Sequence, residues 1–495
     1  MTTKNIGFDN ALYLKNQKKK ILEKVKKSGG KLYLEFGGKL FCDYHAARVL
    51  PGFMPDNKIK LLASLKDKAE IVFCVSANDI EKNRQRAELG LSYENEIIET
   101  ISRLRKEGLY LSSVVITLFR GQPSANKFAQ TLKSNGENVY IHTYTKGYPS
   151  DIDTLVSEEG YGANSFIETT RPLVVVTAAA PATGKLATCM SQLYHEHLRG
   201  NKAGFAKFET FPVWDLSLGH PVNIAYEAAT ADIKNVNQID PFYFNAYGKL
   251  SVDNNHDIEV FPVLKNIFKK ITGKIVFKSP TDMGVNVVKS AITNEDIVKD
   301  ASQKEIIRRY LKTECDYKKG KIDFETLERS RYLMSELEIT EDYLPVISLA
   351  KTASKKCGLP CVALQLSNGE VVYGKNKKVV SASGAVILNA LRTLAGLDDN
   401  FDIISDNILL PILSLRKDVL NTTSQVLSLD DILIALSVSA ATNEKAQKAL
   451  EKIPELAGCE AHSTYMLSSA EERTLKKLGI NITCQPEPIQ VKKIK

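Results

Sequence analysis

The sequence contains no run of about 18 apolar residues, the length a helix needs to cross a membrane, which argues against a membrane span. It has no internal repeat and no low-complexity segment, so a solenoid array is excluded. It has no motif for DNA or RNA and no stripe of basic residues alternating with aromatic ones, so no nucleic-acid partner is expected. The net charge of +8 is modest for 495 residues, and much of it falls in Lys15 to Lys27 and the tail Lys492 to Lys495, which read as solvated faces. Lysine far outnumbers arginine, a balance that suits general solvation better than bidentate phosphate reading. The eight cysteines are scattered, and only Cys357 and Cys361 lie near each other, so a zinc site with paired ligands is not expected. With no recognisable secretory leader, they read as reduced thiols of a cytoplasmic protein.

Short apolar runs are plentiful. Lys31 to Phe36, Glu70 to Ser76, Ser113 to Phe119, Val139 to His142, Leu173 to Thr177 and Ala203 to Phe208 have the length and β-branched content of buried strands. Stretches of helical composition separate most of them. That alternation predicts βαβ units and a doubly wound, mostly parallel sheet. The α/β domain is expected over residues 1–290. A helical domain should follow at 291–358 and a small α+β domain at 359–495. The helical domain would suit a homo-oligomer contact. In the last domain, Asn368-Gly369 marks a hairpin turn.

The stretch that organises the first domain is Arg171 to Arg199. A Val-rich strand runs into Ala178-Ala-Ala-Pro-Ala-Thr-Gly-Lys185, and helical composition follows. Backbone N–H groups of such a turn, together with a helix N-terminus, face an anion. The spacing is similar to the phosphate-binding loop G-x-x-x-x-G-K-[ST] of P-loop nucleoside triphosphatases. Gly184 and Lys185 match it, whereas Ala179 replaces the first glycine and Leu186 the metal-binding hydroxyl. The phosphate-binding candidates are Thr183, Gly184, Lys185, Thr188 and Arg48. The ordinary alternative is a strand-to-helix turn with Lys185 solvated.

Polar groups also collect where strands end. Asp43, His45 and Arg48 follow the first strand, and in an open parallel sheet ligands bind outside the carboxyl ends. Lys82, Arg84 and Arg86 form a polar loop that would suit a phosphate clamp. Glu209 and Asp215 stand where a nucleotide enzyme keeps a carboxylate for metal or water. His220 is a loop acid or base. Residues 207–243 read as a long aromatic-rich excursion lining the site, with Asn223, Glu227 and Asp232, the last two on one helix. Lys274 to Phe277 reads as a strand, and Ser279, Thr281, Asp282 and Asn286 follow it as a binding loop, or simply as a helix cap.

Several longer segments carry a resemblance. They are Phe36-Gly-Gly-Lys-Leu40, Asp43-Tyr-His-Ala-Ala-Arg-Val-Leu-Pro-Gly52, Gly184-Lys-Leu-Ala-Thr-Cys, Gln192-Leu-Tyr-His, His220 to Asp232 and Ser279 to Asn286. Together they resemble a bacterial family catalogued as a domain of unknown function, number eighteen-forty-six. The resemblance spans essentially the whole chain. It implies an α/β domain, a helical domain and a small α+β domain, and no assigned catalytic residues.

Three functions are therefore expected in order. The first is a cytoplasmic enzyme that binds a nucleotide or phosphorylated small molecule at the 179–188 loop and performs ATP-dependent hydrolysis or phosphoryl transfer. Its cofactor would be a nucleoside triphosphate with Mg²⁺, and Asp43, Glu209 or Asp215 would hold metal or water. The second is an acid/base enzyme acting on an anionic metabolite through His45 or His220. The third is a non-catalytic sensor or scaffold.

Overall fold

A computed structural model describes residues 6–38, 40–41, 43–82, 92–376, 379–398, 403–422 and 426–488. Arg84 and Arg86 lie outside the described residues. The chain divides into two compact units, Met1–Gln303 and Lys304–Lys495. No helix among the described residues is long and apolar enough to cross a membrane.

The first unit opens with α1 (Asn10–Lys27), β1 (Leu32–Phe36), α2 (Tyr44–Val49), α3 (Asn57–Ser64) and β2 (Ala69–Ser76). It continues through α4 (Ala77–Glu81), α5 (Tyr93–Lys106), β3 (Leu111–Phe119), α6 (Pro123–Ser134), β4 (Val139–Thr143) and α7 (Ile152–Leu155). Then come β5 (Leu173–Ala178), α8 (Lys185–Leu198), β6 (Gly204–Phe208) and α9 (Pro221–Ala229). A short antiparallel pair, β7 (Asn237–Ile239) and β8 (Val252–Asn254), encloses α10 (Pro241–Tyr247). The unit closes with α11 (Asn255–Thr272), α12 (Pro280–Met283), β9 (Gly284–Val285) and the start of α13 (Glu295–Lys318).

Seven strands form one sheet in the order β4-β3-β2-β5-β1-β6-β9, and every pairing in it is parallel. A parallel sheet must be covered on both faces, and this one is. Leu32, Leu34 and Phe36 of β1 pack with Ile21 of α1, Leu62 of α3, Ile97 of α5 and Leu132 of α6. The alternate residue Tyr33 faces the other layer, with Met190 and Leu193 of α8 and Leu264 and Phe268 of α11. This is strand alternation at work: successive side chains go to opposite faces.

The winding direction reverses within the sheet. Connections leaving β1, β2 and β3 carry α3, α5 and α6 to the first face, while those leaving β5 and β6 carry α8 and α11 to the second. β5 sits between β2 and β1, so the chain leaves it on the side opposite to both neighbours. Such a reversal opens a crevice at the carboxyl ends of the strands.

The second unit begins within α13 and continues through α14 (Phe324–Glu336) and α15 (Pro345–Cys357). Next are β10 (Cys361–Gln365) and β11 (Val371–Lys375), the hairpin expected around Asn368-Gly369. Then follow α16 (Ala382–Leu394), α17 (Asp406–Ser414), α18 (Leu429–Ala440), α19 (Glu444–Glu451), β12 (Glu460–Ser463), α20 (Ser469–Lys477) and β13 (Asn481–Cys484). Its sheet has the order β11-β10-β12-β13, antiparallel except for the β12–β13 pair. Its own core includes Val386, Leu391, Ile432 and Leu436.

Three expectations need correction. Lys274 to Phe277 is not a strand: Ile275 and Val276 are 56% and 44% exposed and pair with no sheet. β-branched composition marks a strand only where a neighbour and a core receive it. The seventh strand is instead the two-residue β9. The segment 207–243 is not one irregular excursion, because α9, β7 and part of α10 occupy it. Glu227 and Asp232 do not share a helix: α9 ends at Ala229, and Asp232 lies on a separate 3₁₀ turn.

At the carboxyl ends of two adjacent strands, Phe36 of β1 stacks on Phe208 of β6, ring centroids 4.1 Å apart. Both are buried. Phe208→Ala is expected to destabilise the first unit by about 3–5 kcal/mol, read by denaturant titration of the full chain. A loss under about 1 kcal/mol would mean that this contact is not central to the core.

Candidate site at the carboxyl end of the parallel sheet

The turn after β5 is held by its neighbours. Thr117, near the end of β3, donates its hydroxyl to the Thr183 carbonyl at 2.6 Å. Gly184 has φ +77°, and a Cβ there would lie 3.2 Å from Thr117 Cβ, so both backbone angle and close approach call for glycine. Ala182 also has positive φ, at 54°, a conformation uncommon for a residue with a side chain. Thr183 is buried, and its hydroxyl donates to the Ala180 carbonyl at 3.3 Å. Thr188, one turn into α8, bonds back to the Gly184 carbonyl at 3.1 Å. No side chain caps α8, and Lys185 is its first residue. The positive end of the helix dipole, the first N–H groups and a lysine therefore coincide at one point.

Beside this turn lies a cluster of charged groups. Glu35 of β1 is in register with Lys207 of β6, so the two side chains stand next to each other on the face covered by α8 and α11. Lys207 pairs with Glu209 at 2.6 Å and with Asp257 at the start of α11. Asp253 on β8 completes the group: single oxygens of Glu209, Asp253 and Asp257 all lie within 4.8 Å of one another. Asn254 organises the β8–α11 junction. It caps α11 by accepting from the Asp257 N–H at 2.9 Å, and it donates to the Asp257 carboxylate at 2.7 Å.

Four carboxylates thus share Lys207, with Lys185 also acting on Glu35. Burial raises the Glu35 carboxyl against the pull of Lys207 and Lys185. Burial, reinforced by Asp257, pushes Glu209 up to about 7 although Lys207 opposes it. Asp253, 2% exposed, is raised well above the carboxylate range by burial and by Asp257 and Glu209. Burial works against the Lys207 charge, yet the surrounding carboxylates hold its ammonium well above the usual value. Burial is the larger cause for the carboxyls, and the excess of negative groups adds to it: like charges at this distance favour holding a proton or a cation.

The comparisons with known proteins cover nearly the whole length. A family model described as "Domain of unknown function DUF1846, N-terminal" matches residues 6–338, and its C-terminal counterpart matches residues 342–492. The chain belongs to the DUF1846 family. It is 53% identical over 490 residues to a "UPF0371 protein" of Clostridium botulinum (strain Alaska E43 / Type E3), covering 97% of each chain. A "UPF0371 protein" of Clostridium tetani (strain Massachusetts / E88) is likewise 53% identical, over 491 residues, covering 97% of this chain and 98% of the relative.

In this DUF1846 chain the structure gathers some sequence-selected residues and leaves others apart. Thr183 and Gly184 lie in the turn, Lys185 and Thr188 in the first turn of α8, and Glu209 lies in the cluster beside them. Asp43 caps α2 and pairs with Lys58 at 3.0 Å. Burial would raise Asp43, but Lys58 outweighs it and holds the carboxyl below its usual range. His45 packs edge-on to Phe211, which stacks on Tyr226, whose hydroxyl feels Glu209 and Lys207. Arg48 is half-buried in the last turn of α2.

The rest serve the frame. His220 caps α9 and meets Glu295 at 3.0 Å, with burial lowering its pKa. Asn223 is buried and bonds Val213 and Ser217, while Glu227 accepts from the Asn237 N–H. Asn286 ties down the Thr210 and Pro212 carbonyls immediately after Glu209. Thr281 donates to Asp240, and Ser279 and Asp282 form a capping box on α12. Asp215 and Asp232 are exposed.

Glu35, Lys207, Asp253 and Asp257 were not selected from the sequence. The available signal was a charged residue in the middle of a strand and the run Asp253-Asn-Asn-His-Asp257.

Glu209 makes a pH prediction. Its folded pKa, about 7, is above the ordinary 4.5, so the neutral form favours the fold. That contribution is complete below about pH 4.5 and lost as pH rises through about 7. Glu209→Gln stays neutral throughout. It should melt close to wild type at pH 5 and roughly a few degrees above it at pH 8. A gap that does not change with pH, or one of opposite sign, contradicts the assignment.

Proposed function

We propose that this chain is an enzyme that binds a phosphorylated small molecule, a nucleotide among them, with a phosphoryl group at the 179–185 turn. The observation that carries the reading is the coincidence of an uncapped helix N-terminus, Gly184 and Lys185 at the crevice where the parallel sheet reverses its winding. Lys185 and the α8 N–H groups would neutralise the anion. Glu209, Asp253 and Asp257 would hold a divalent cation, which relieves their mutual repulsion and neutralises phosphate charge. This donor set is all oxygen and suits Mg²⁺ or Mn²⁺.

Leu186 stands where P-loop proteins keep a metal-binding hydroxyl, and Thr188 bonds the helix backbone instead. Carboxylates from β6, β8 and α11 would take that role.

The test is thermal stability of the full chain with inorganic phosphate, pyrophosphate and nucleoside phosphates, with and without Mg²⁺. A compound at about 100 times its Kd stabilises by about 2.7 kcal/mol. A shift seen in wild type and lost in Lys185→Ala supports the site. An equal shift in the variant, or none with any of these compounds, overturns it.

A further inference from the structure

In the second unit, α15 ends at Cys357 and β10 starts at Cys361. Between them, Gly358 caps the helix at φ +65° and Leu359-Pro360 turns the chain into the strand. This tight reversal brings the two Sγ atoms to 3.3 Å. Cys357 is exposed and Cys361 is buried. Among the described residues no other hydrogen bond joins two cysteine sulfurs, and the Cys315 thiol donates to the Cys484 carbonyl at 3.5 Å.

We propose that Cys357 and Cys361 are a reversible dithiol–disulfide site, oxidised by exchange with a low-molecular-weight disulfide. The exposed Cys357 attacks first. Its thiolate, having lost a proton to water, displaces one thiolate from R–S–S–R and forms a Cys357–S–S–R mixed disulfide. Cys361 then loses its proton and attacks the Cys357 sulfur, releasing the second R–S⁻. Two protein thiols are oxidised to one disulfide, and one small disulfide is reduced to two thiols, which take up the two protons.

The surroundings fit a slow, equilibrium-controlled pair. Both thiols lie against carbonyls at the carboxyl end of α15: Cys357 against Ser354 and Leu359, Cys361 against Leu359. The carbonyl beside Cys361 and its burial favour that thiol's protonated form. Burial and the neighbouring Cys357 thiol push Cys361 up to about 12, which suits a resolving thiol rather than a first nucleophile. The bridge would close a loop of only three intervening residues, constraining the unfolded chain little. Its consequence is therefore chemical: it fastens the end of α15 to the first strand of the small sheet and removes an exposed thiol.

Trypsin would release residues 357–375 as one peptide with these two cysteines and no other. The folded full chain is incubated with oxidised glutathione, quenched in acid, denatured, alkylated and digested. Wild type is expected to yield this peptide two hydrogens lighter and unalkylated. Cys361→Ser should instead accumulate glutathione on Cys357. Wild type that keeps two alkylated thiols, or holds glutathione on Cys357 as the variant does, overturns the proposal. The wild-type result alone decides the matter if the variant fails to fold.

Discussion

A parallel sheet covered by helices on both faces excludes charge from nearly all of its length. Isolated charges are costly away from water, and the strands here are accordingly almost entirely apolar. Glu70 at the start of β2 is buried and accepts from the Thr170 and Arg171 N–H groups, and towards the carboxyl edge the exceptions are Glu35 and Lys207, side by side on adjacent strands. Their pairing requires compensation from what lies above. Glu209, Asp253 and Asp257 gather around Lys207, and Lys185 acts on Glu35 from the start of α8. The remaining polar architecture follows from that constraint. Asn254 holds the β8–α11 junction that carries two of the carboxylates, and Asn286 fixes the chain just after the third.

The same constraint links fold to chemistry. Winding reverses around β5, the topological position at which open α/β sheets bind their ligands. The turn that enters the crevice is built from small residues because Thr117 approaches closely and because two of its residues have positive φ. Facing it are groups with surplus negative charge. On the proposed reading the turn would take an anion and the carboxylates a cation, the arrangement that phosphoryl chemistry uses, where positioning and electrostatics supply most of the catalysis.

Much of the sheet was legible in the sequence because a buried parallel strand is a near-continuous apolar run. Leu173 to Ala178 and Ala69 to Ser76 are of this kind. Ile275 and Val276 carry the same signal without a partner strand, and they lie exposed. β7, β8 and β9, at two or three residues each, are too short to show any period. The turn at 179–185 and Glu209 were visible through residue type and spacing. Glu35 was hidden inside a strand that otherwise reads as core. Asp253 and Asp257 were hidden because their distance from Glu209 in sequence is closed only by the return of β8 and α11 to the sheet. His220 and Asp282 stand at helix starts, where polar residues cap backbone groups as often as they bind ligands.

The central claim is that the turn and the carboxylate cluster are one site. It is tested most directly by a double-mutant cycle on the affinity for Mg²⁺-pyrophosphate, measured by calorimetry with wild type, Lys185→Ala, Glu209→Gln and the pair. If anion and cation bind together, each single change weakens binding and the double change costs clearly less than the sum, with a coupling of about 1 kcal/mol or more. Losses that add within about 0.3–0.5 kcal/mol would mean that the turn and the cluster act independently, and the account would fail.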